Sequence, residues 1–158
     1  MSRIPECLPI IQGHEPVIET SLDDTSGWVK LTNAKGVYII ISTYGGAGVT
    51  DLVLTVHEGA TGAGTSELTT VFPIWANTDC ATSDTMVRQT DAYTYTIDNA
   101  LQDNQLVVFY IDGSILTAGY DWIQLGSTGG FATNYVDVLY ILEGARYKQV
   151  TPPSGTTA

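Results

Sequence analysis

At 158 residues, 44% of them hydrophobic, the chain is long enough for one self-sufficient core, too short for two ordinary domains and too apolar for global disorder. Charged residues make up only 15%, and Thr, Ser and Gly stand in their place, which favours strands and turns over Glu/Lys-rich surface helices. Seventeen acidic residues against six scattered basic ones give a net charge of −11, which excludes the usual electrostatics of nucleic-acid and anionic-membrane partners.

Residues 1–20 read as an extended N-terminal arm. Pro5, Pro9 and Pro16 push their neighbours toward extended geometry and remove backbone donors. Ile4, Leu8, Ile10, Ile11, Val17 and Ile18 make the segment too apolar for an idle tail, so it should lie in a groove of its own body or of a neighbour's. Deleting residues 1–18 is then expected to leave a folded body. The prolines and Glu6 also interrupt any signal-peptide core, and no apolar run reaches membrane-spanning length. The chain is therefore expected to be made in the cytoplasm and to stay soluble.

Residues 21–150 read as the body. Trp28 to Leu31 predicts a short strand, and Asn33–Gly36 a turn. Over Val37 to Tyr44 both alternating faces are apolar, so this strand should be central and covered on both sides. Leu52, Leu54 and Val56 alternate with Val53, Thr55 and His57, as in a half-buried strand. A Gly/Thr/Ala loop (58–66) and a strand over Glu67 to Phe72 follow, and Pro73 to Asp84 reads as a long connection. Thr85 to Ile97 leans to β structure, with Tyr93, Tyr95 and Ile97 on one face, and Asn99 to Asn104 is the one plausible helical turn. Leu106 to Ile111, Tyr120 to Leu125 and Tyr135 to Leu142 complete the strands, with Asp112-Gly113 and Ser127 to Gly130 between them. About seven to nine short strands with Gly-rich turns predict an all-β, antiparallel sandwich or barrel, jelly-roll-like, and residues 151–158 read as a flexible tail.

No catalytic, cofactor or metal constellation emerges. His14 and His57 are the two histidines, and nothing resembling a nucleophile motif accompanies them; His57 is expected to be an exposed strand residue. Asp79, Asp84, Asp91, Asp98 and Asp103 are too widely spaced for one calcium loop and read as solvated carboxylates. Glu58, Glu67 and Asp121 lie near strand ends, but spacing does not reveal whether any two could flank a glycosidic bond. The glycines at 45–48, 59–64 and 126–130 lack the Lys-Ser/Thr of a phosphate loop and read as strand-connecting turns. Cys7 and Cys80 leave a disulfide open, with two free thiols expected in a reducing cytoplasm. Tyr93/Tyr95 and Tyr120/Trp122 each share a strand face and could form a sugar-stacking platform or ordinary cross-strand packing.

From Gly36 to Lys148 the order of features resembles the small virion proteins of tailed bacteriophages, especially capsid decoration (cement) proteins. The matching pieces are GVYIIISTYGGAGVTDLVLTVHEG, GATGAGTSEL, SDTMVRQTDAYTY, VVFYIDGSIL, GYDWIQL and VLYILEGARY. The resemblance implies a β body with extended termini that binds the outer capsid surface and reinforces the shell without chemistry. The implied partners are the major capsid protein and the chain itself, as a homodimer or homotrimer. On that reading Ile4, Leu8, Ile10 and Ile11 in the arm, with Arg146, Tyr147 and Lys148 near the other end, make the contacts. A carbohydrate- or receptor-binding module of the tail or baseplate is the alternative.

Overall fold

The computed structural model describes residues 8–18, 22, 27–44, 51–64, 66–98, 104–129 and 135–144. Eleven strands lie among them, and each sheet pairing is antiparallel. In chain order they begin with β1 (Ile10–Ile18), β2 (Val29–Lys30), β3 (Gly36–Tyr44) and β4 (Leu52–Gly59). Three short strands follow, β5 (Ser66–Glu67), β6 (Ile74–Asn77) and β7 (Val87–Arg88). The chain then forms β8 (Thr94–Ile97), β9 (Asn104–Asp112), β10 (Trp122–Gly129) and β11 (Tyr135–Glu143).

The first sheet runs β1-β11-β3-β9-β6-β7, and the second β2-β10-β4-β5, with β8 also paired to β4. With β5, β6 and β7 set aside, the remaining eight strands form two four-stranded sheets, β1-β11-β3-β9 and β2-β10-β4-β8. The chain crosses between them so that first and last strands are neighbours in one sheet, and second and tenth in the other. That wiring is a jelly roll, two interleaved Greek keys. β5 to β7 form an insertion between β4 and β8 that borders β4 and widens the first sheet beyond β9.

Period-two patterning builds the core. Val37, Ile39 and Ile41 of β3, Val107, Phe109 and Ile111 of β9, and Val138, Tyr140 and Leu142 of β11 all point inward and are buried. Leu52, Leu54 and Val56 of β4 and Ile123 and Leu125 of β10 oppose them. Each such side chain contributes roughly 1.5–3 kcal/mol by leaving water. Phe72 and Phe109 meet in a tilted pair at 5.1 Å. The Tyr140 hydroxyl crosses the sandwich to accept a hydrogen bond from the Leu125 amide at 2.9 Å.

Several expectations are corrected. β3 is central in its sheet, but it is covered on one side: Tyr38 and Ile40 are partly exposed and Tyr44 is 55% exposed. Within Pro73 to Asp84 lies β6, whose Ile74 and Ala76 face the core; four residues are too few for the alternation to stand out. The strand expected over Glu67 to Phe72 shrinks to β5 plus an isolated bridge from Phe72 to Ala92. Gly126 to Gly129 are strand rather than turn, paired with Leu52 to Thr55, and buried Ser127 accepts from the Leu22 amide at 3.0 Å. One 3-10 turn occupies Gly113–Ile115, capped by the Asp112 carboxylate. Residues 99–103, the glycines at 45–48 and the tail 151–158 lie outside the described residues.

Candidate interaction surfaces

The strand pairing decides where the expected contact residues go. β1 lies along β11 at the edge of the first sheet, with Ile10 opposite Ile141, so residues 10–18 belong to the body. Deleting residues 1–18 would therefore remove an edge strand and bare β11, contrary to the sequence expectation. Ile10 points outward and is 48% exposed, Leu8 is partly exposed, and Ile11 turns inward against the core. Ile4, Arg146, Tyr147 and Lys148 lie outside the described residues.

The two ends of the described body meet at one corner. The Leu142 amide donates to the Pro9 carbonyl at 3.0 Å, and the Lys35 amide donates to the carbonyls of Glu143 and Gly144 at 2.9 and 3.3 Å. Gly144 has a φ of +56°, a left-handed conformation that turns the backbone away as β11 ends. Leu8–Pro9 and Gly144 thus lie at the same corner of the body.

A second surface was missed by sequence reading. Midway along β11, β3 and β9 the outward side chains form two apolar, partly exposed rows, which Asp137 and Ser42 interrupt toward one end. One row across the strands is Ile10, Ile141, Tyr38 and Tyr110. The next is Leu139, Ile40, Val108 and Trp75. Charges stand at the margins. Tyr110 packs on Tyr38 at 4.8 Å and donates to Glu143 Oε2 at 2.6 Å; burial, then that bond to a carboxylate, pushes the phenol well above its ordinary pKa. Arg88 lies over the Trp75 ring at 4.8 Å. Asp137 Oδ1 is buried with no hydrogen-bond partner among the described residues. The signal lies in the two-faced apolar pattern of β3, which reads equally as coverage on both sides.

The remaining candidates are dispersed. Glu58 is 5% exposed, points into the sandwich and accepts from the Thr117 amide (2.9 Å) and hydroxyl (2.5 Å). Glu67 sits on the opposite face beside His57. Asp121 accepts from the Thr32 hydroxyl at 2.7 Å and pairs with Lys30 at 3.5 Å. Glu67 therefore faces away from the other two, and Glu58 and Asp121, close to one another on adjoining strands, are each held by their own partners. His57 is buried rather than exposed, flanked by Gln124 and Glu67 on neighbouring strands, because β4 has partners on both edges. His14 is buried in β1, its Nδ1 3.3 Å from the Val136 carbonyl. Asp79 closes its own turn through the Ala81 and Thr82 amides and the Thr82 hydroxyl, which lowers its pKa, and Asp91 pairs with Arg88. Among the described residues no three His, Cys, Asp or Glu side chains converge, and no helix is long and apolar enough to cross a membrane.

Tyr95 packs on the core while Tyr93 is 46% exposed, so these two do not form a platform. Tyr120 lines a cleft of about 240 Å3 with Leu31, Thr32, Leu116 and Asp121. Trp122 lies on the outer face of the second sheet, with Lys30 Nζ 5.5 Å from its ring centre. Cys80 is free and exposed; Cys7 lies outside the described residues. The chain matches no protein-family model, no curated protein and no solved structure.

Proposed function

We propose that the chain is a non-enzymatic structural virion protein, a decoration protein that binds the outer capsid surface of a tailed phage and reinforces the shell. The observation that carries the reading is the shared corner at which Leu8–Pro9 and Gly144 meet. Contacts made by Ile4, Leu8 and Ile10 on one side and by Arg146, Tyr147 and Lys148 on the other then start from one point, so a single footprint can use both. Repetition over a lattice supplies avidity even where each contact is weak. Jelly rolls serve as viral capsid domains, although the fold is shared with lectins and carries no function by itself. A net charge of −11 suits the outside of a shell, away from packaged DNA.

The test is co-sedimentation with capsids of the phage that encodes the chain. A variant lacking residues 2–7 keeps all of β1; it should unfold at the wild-type temperature and lose capsid binding. Binding at wild-type strength would overturn the assignment of the contacts to this corner.

The cleft beside Tyr120 favours a second reading, a saccharide-binding module, because a ring, a hydroxyl and a carboxylate line one recess. A glycan array that shows specific binding abolished by Tyr120→Ala would select it over the capsid role, and an array without binding would remove it.

A further inference from the structure

We propose that the recess formed by the β6–β7 part of the insertion is a saccharide site that takes one neutral sugar unit of a larger glycan. It lies on a different surface from the Leu8–Gly144 corner and from the Tyr120 cleft. The binding stands without the capsid reading; only the direction in which the site faces rests on it.

The insertion builds the recess. β6 and β7 pair through Trp75–Arg88 and Ala76–Val87, and residues 78–86 connect them. That connection is pinned by its own bonds. The Asn77 side-chain amide donates to the Ser83 carbonyl at 2.7 Å, and the Ser83 amide to the Asp79 carbonyl at 3.1 Å. The Cys80 amide donates to the Asn104 carbonyl of β9 at 2.8 Å. Asn77, Thr78, Ser83, Thr85, Val87 and Gln89 line a recess of about 320 Å3, within the roughly 300–1,000 Å3 of small-ligand sites. Walls fixed in advance spare a ligand the entropy of ordering them.

The open polar groups select the ligand. The Thr78 and Thr85 hydroxyls make no hydrogen bond among the described residues. Ser83 Oγ accepts from the Thr85 amide at 3.2 Å and keeps its proton to donate. Gln89 directs Nε2 to the Val87 carbonyl at 3.1 Å, which leaves Oε1 open. Hydroxyl donors and an amide acceptor beside the exposed Val87 side chain suit the hydroxyls and C–H faces of a sugar ring.

Charge narrows the class. Asp79 is the one ionisable side chain of the lining, and the Ala81 and Thr82 amides and the Thr82 hydroxyl engage its two oxygens. No Lys, Arg or His lines the recess, so an anionic group finds no counter-charge and meets a chain of −11. A metal ion finds a single carboxylate, already engaged, where calcium takes about six to eight oxygens. No aromatic ring lines the recess to stack a nucleobase. A neutral polyhydroxylated ligand fits all three constraints.

Position gives the site its use. Asn77 pairs with Leu106 near the start of β9, while Asp112, at its end, adjoins the bond from the Gly113 amide to the Lys35 carbonyl at the corner. From Leu106 to Asp112 the strand runs about 20 Å. With the corner on a shell, the recess lies at the end of the body remote from it, where a cell-surface polysaccharide is met. Copies repeated over a lattice multiply a weak single contact.

A microarray of bacterial polysaccharides and of defined neutral and acidic oligosaccharides, read with the full chain, tests this. The wild type should bind neutral glycans. Thr78→Val with Thr85→Val keeps the shape of both side chains and removes two hydroxyls that bond nothing within the described protein. It should weaken binding about tenfold or more at an unchanged Tm. Should that pair not fold, Thr85→Arg, at an exposed position, decides by filling the recess, and binding should be lost. Tyr120→Ala should leave binding unchanged. An array without binding, binding to acidic glycans alone, or binding as sensitive to Tyr120→Ala as to the recess variants would overturn the proposal. Capsid co-sedimentation is scored separately. A chain that decorates capsids and binds no glycan sinks this inference alone, and one that binds neutral glycans through the recess without decorating capsids sinks only the capsid reading.

Discussion

Replacing Gly13 with alanine should loosen the strand that ties the corner together. A Cβ at this position would stand 2.1 Å from Tyr140 Cε2 and 2.7 Å from Cδ2, far inside the ~3.5–4.0 Å of an ordinary carbon contact. Tyr140 has no room to turn aside: it is fully buried, and its hydroxyl is held by the Leu125 amide on the opposite sheet. The displacement therefore falls on β1, an edge strand whose pairing with β11 already carries two register shifts. Overpacking typically costs 1–3 kcal/mol, and so deep an overlap against a pinned ring belongs at the upper end, about 3 kcal/mol. In a chain of this size that lowers the Tm by about 6–12 °C. Thermal and urea unfolding measure the loss. The cause is isolated by placing Gly13→Ala in a Tyr140→Leu background, where the ring is gone. There the penalty should shrink by about 1 kcal/mol or more, the coupling expected of residues in contact. An equal penalty in both backgrounds would refute the clash and put the cost in the backbone instead.

Three further outcomes are expected. Glu58→Ala strips two part-buried hydrogen bonds from Thr117 and should cost about 1–3 kcal/mol in urea unfolding; Glu58→Gln, which still offers an acceptor, should cost less. Burial, then repulsion from Asp79, pushes the Cys80 thiol above its ordinary pKa. In a Cys7→Ser background Cys80 should therefore alkylate more slowly at pH 8 than an unstructured thiol, and Asp79→Asn should speed the reaction. Equal rates in all three would contradict the local field. Tyr110 keeps its proton in the folded chain at a pH where the unfolded chain, with a phenol near 10.0, has released it. Its contribution to stability is thus complete below that pH and is lost as pH rises toward the folded value. An ultraviolet difference titration should show Tyr110 releasing its proton late, as half-buried Tyr95 also does, and Glu143→Gln should move one late step earlier but not to the ordinary value.

The strands with long, clean alternation were legible in the sequence. β3, β4, β9 and β11 each present three or more inward aliphatic or aromatic residues at a spacing of two, and all four were placed within a few positions. β6 was not, because Ile74 and Ala76 are its only inward side chains and Pro73 adjoins them. β10 was cut short at Leu125 because Gly126 and Gly129 read as turn formers. Gly126 is held in the strand by eight consecutive cross-strand pairs with β4, and Gly129, with a φ of +79°, ends it. The arm illustrates the same limit: three prolines announce extended chain, but only the pairing of Ile10 with Ile141 shows that residues 10–18 of it form an edge strand. The jelly-roll order depends on partners far apart in the chain, such as β1 with β11 and β2 with β10, which no local pattern encodes. The apolar outer face was visible as residues and hidden as a surface, because two apolar sides of one strand read equally as a buried strand and as a docking face.

Cryo-electron microscopy of the purified virion would locate the chain on the particle. Jelly-roll density is expected on the outside of the capsid lattice, with the corner of Leu8 and Gly144 turned toward the shell. The same density in the tail or baseplate, or a particle without the chain, would contradict that placement.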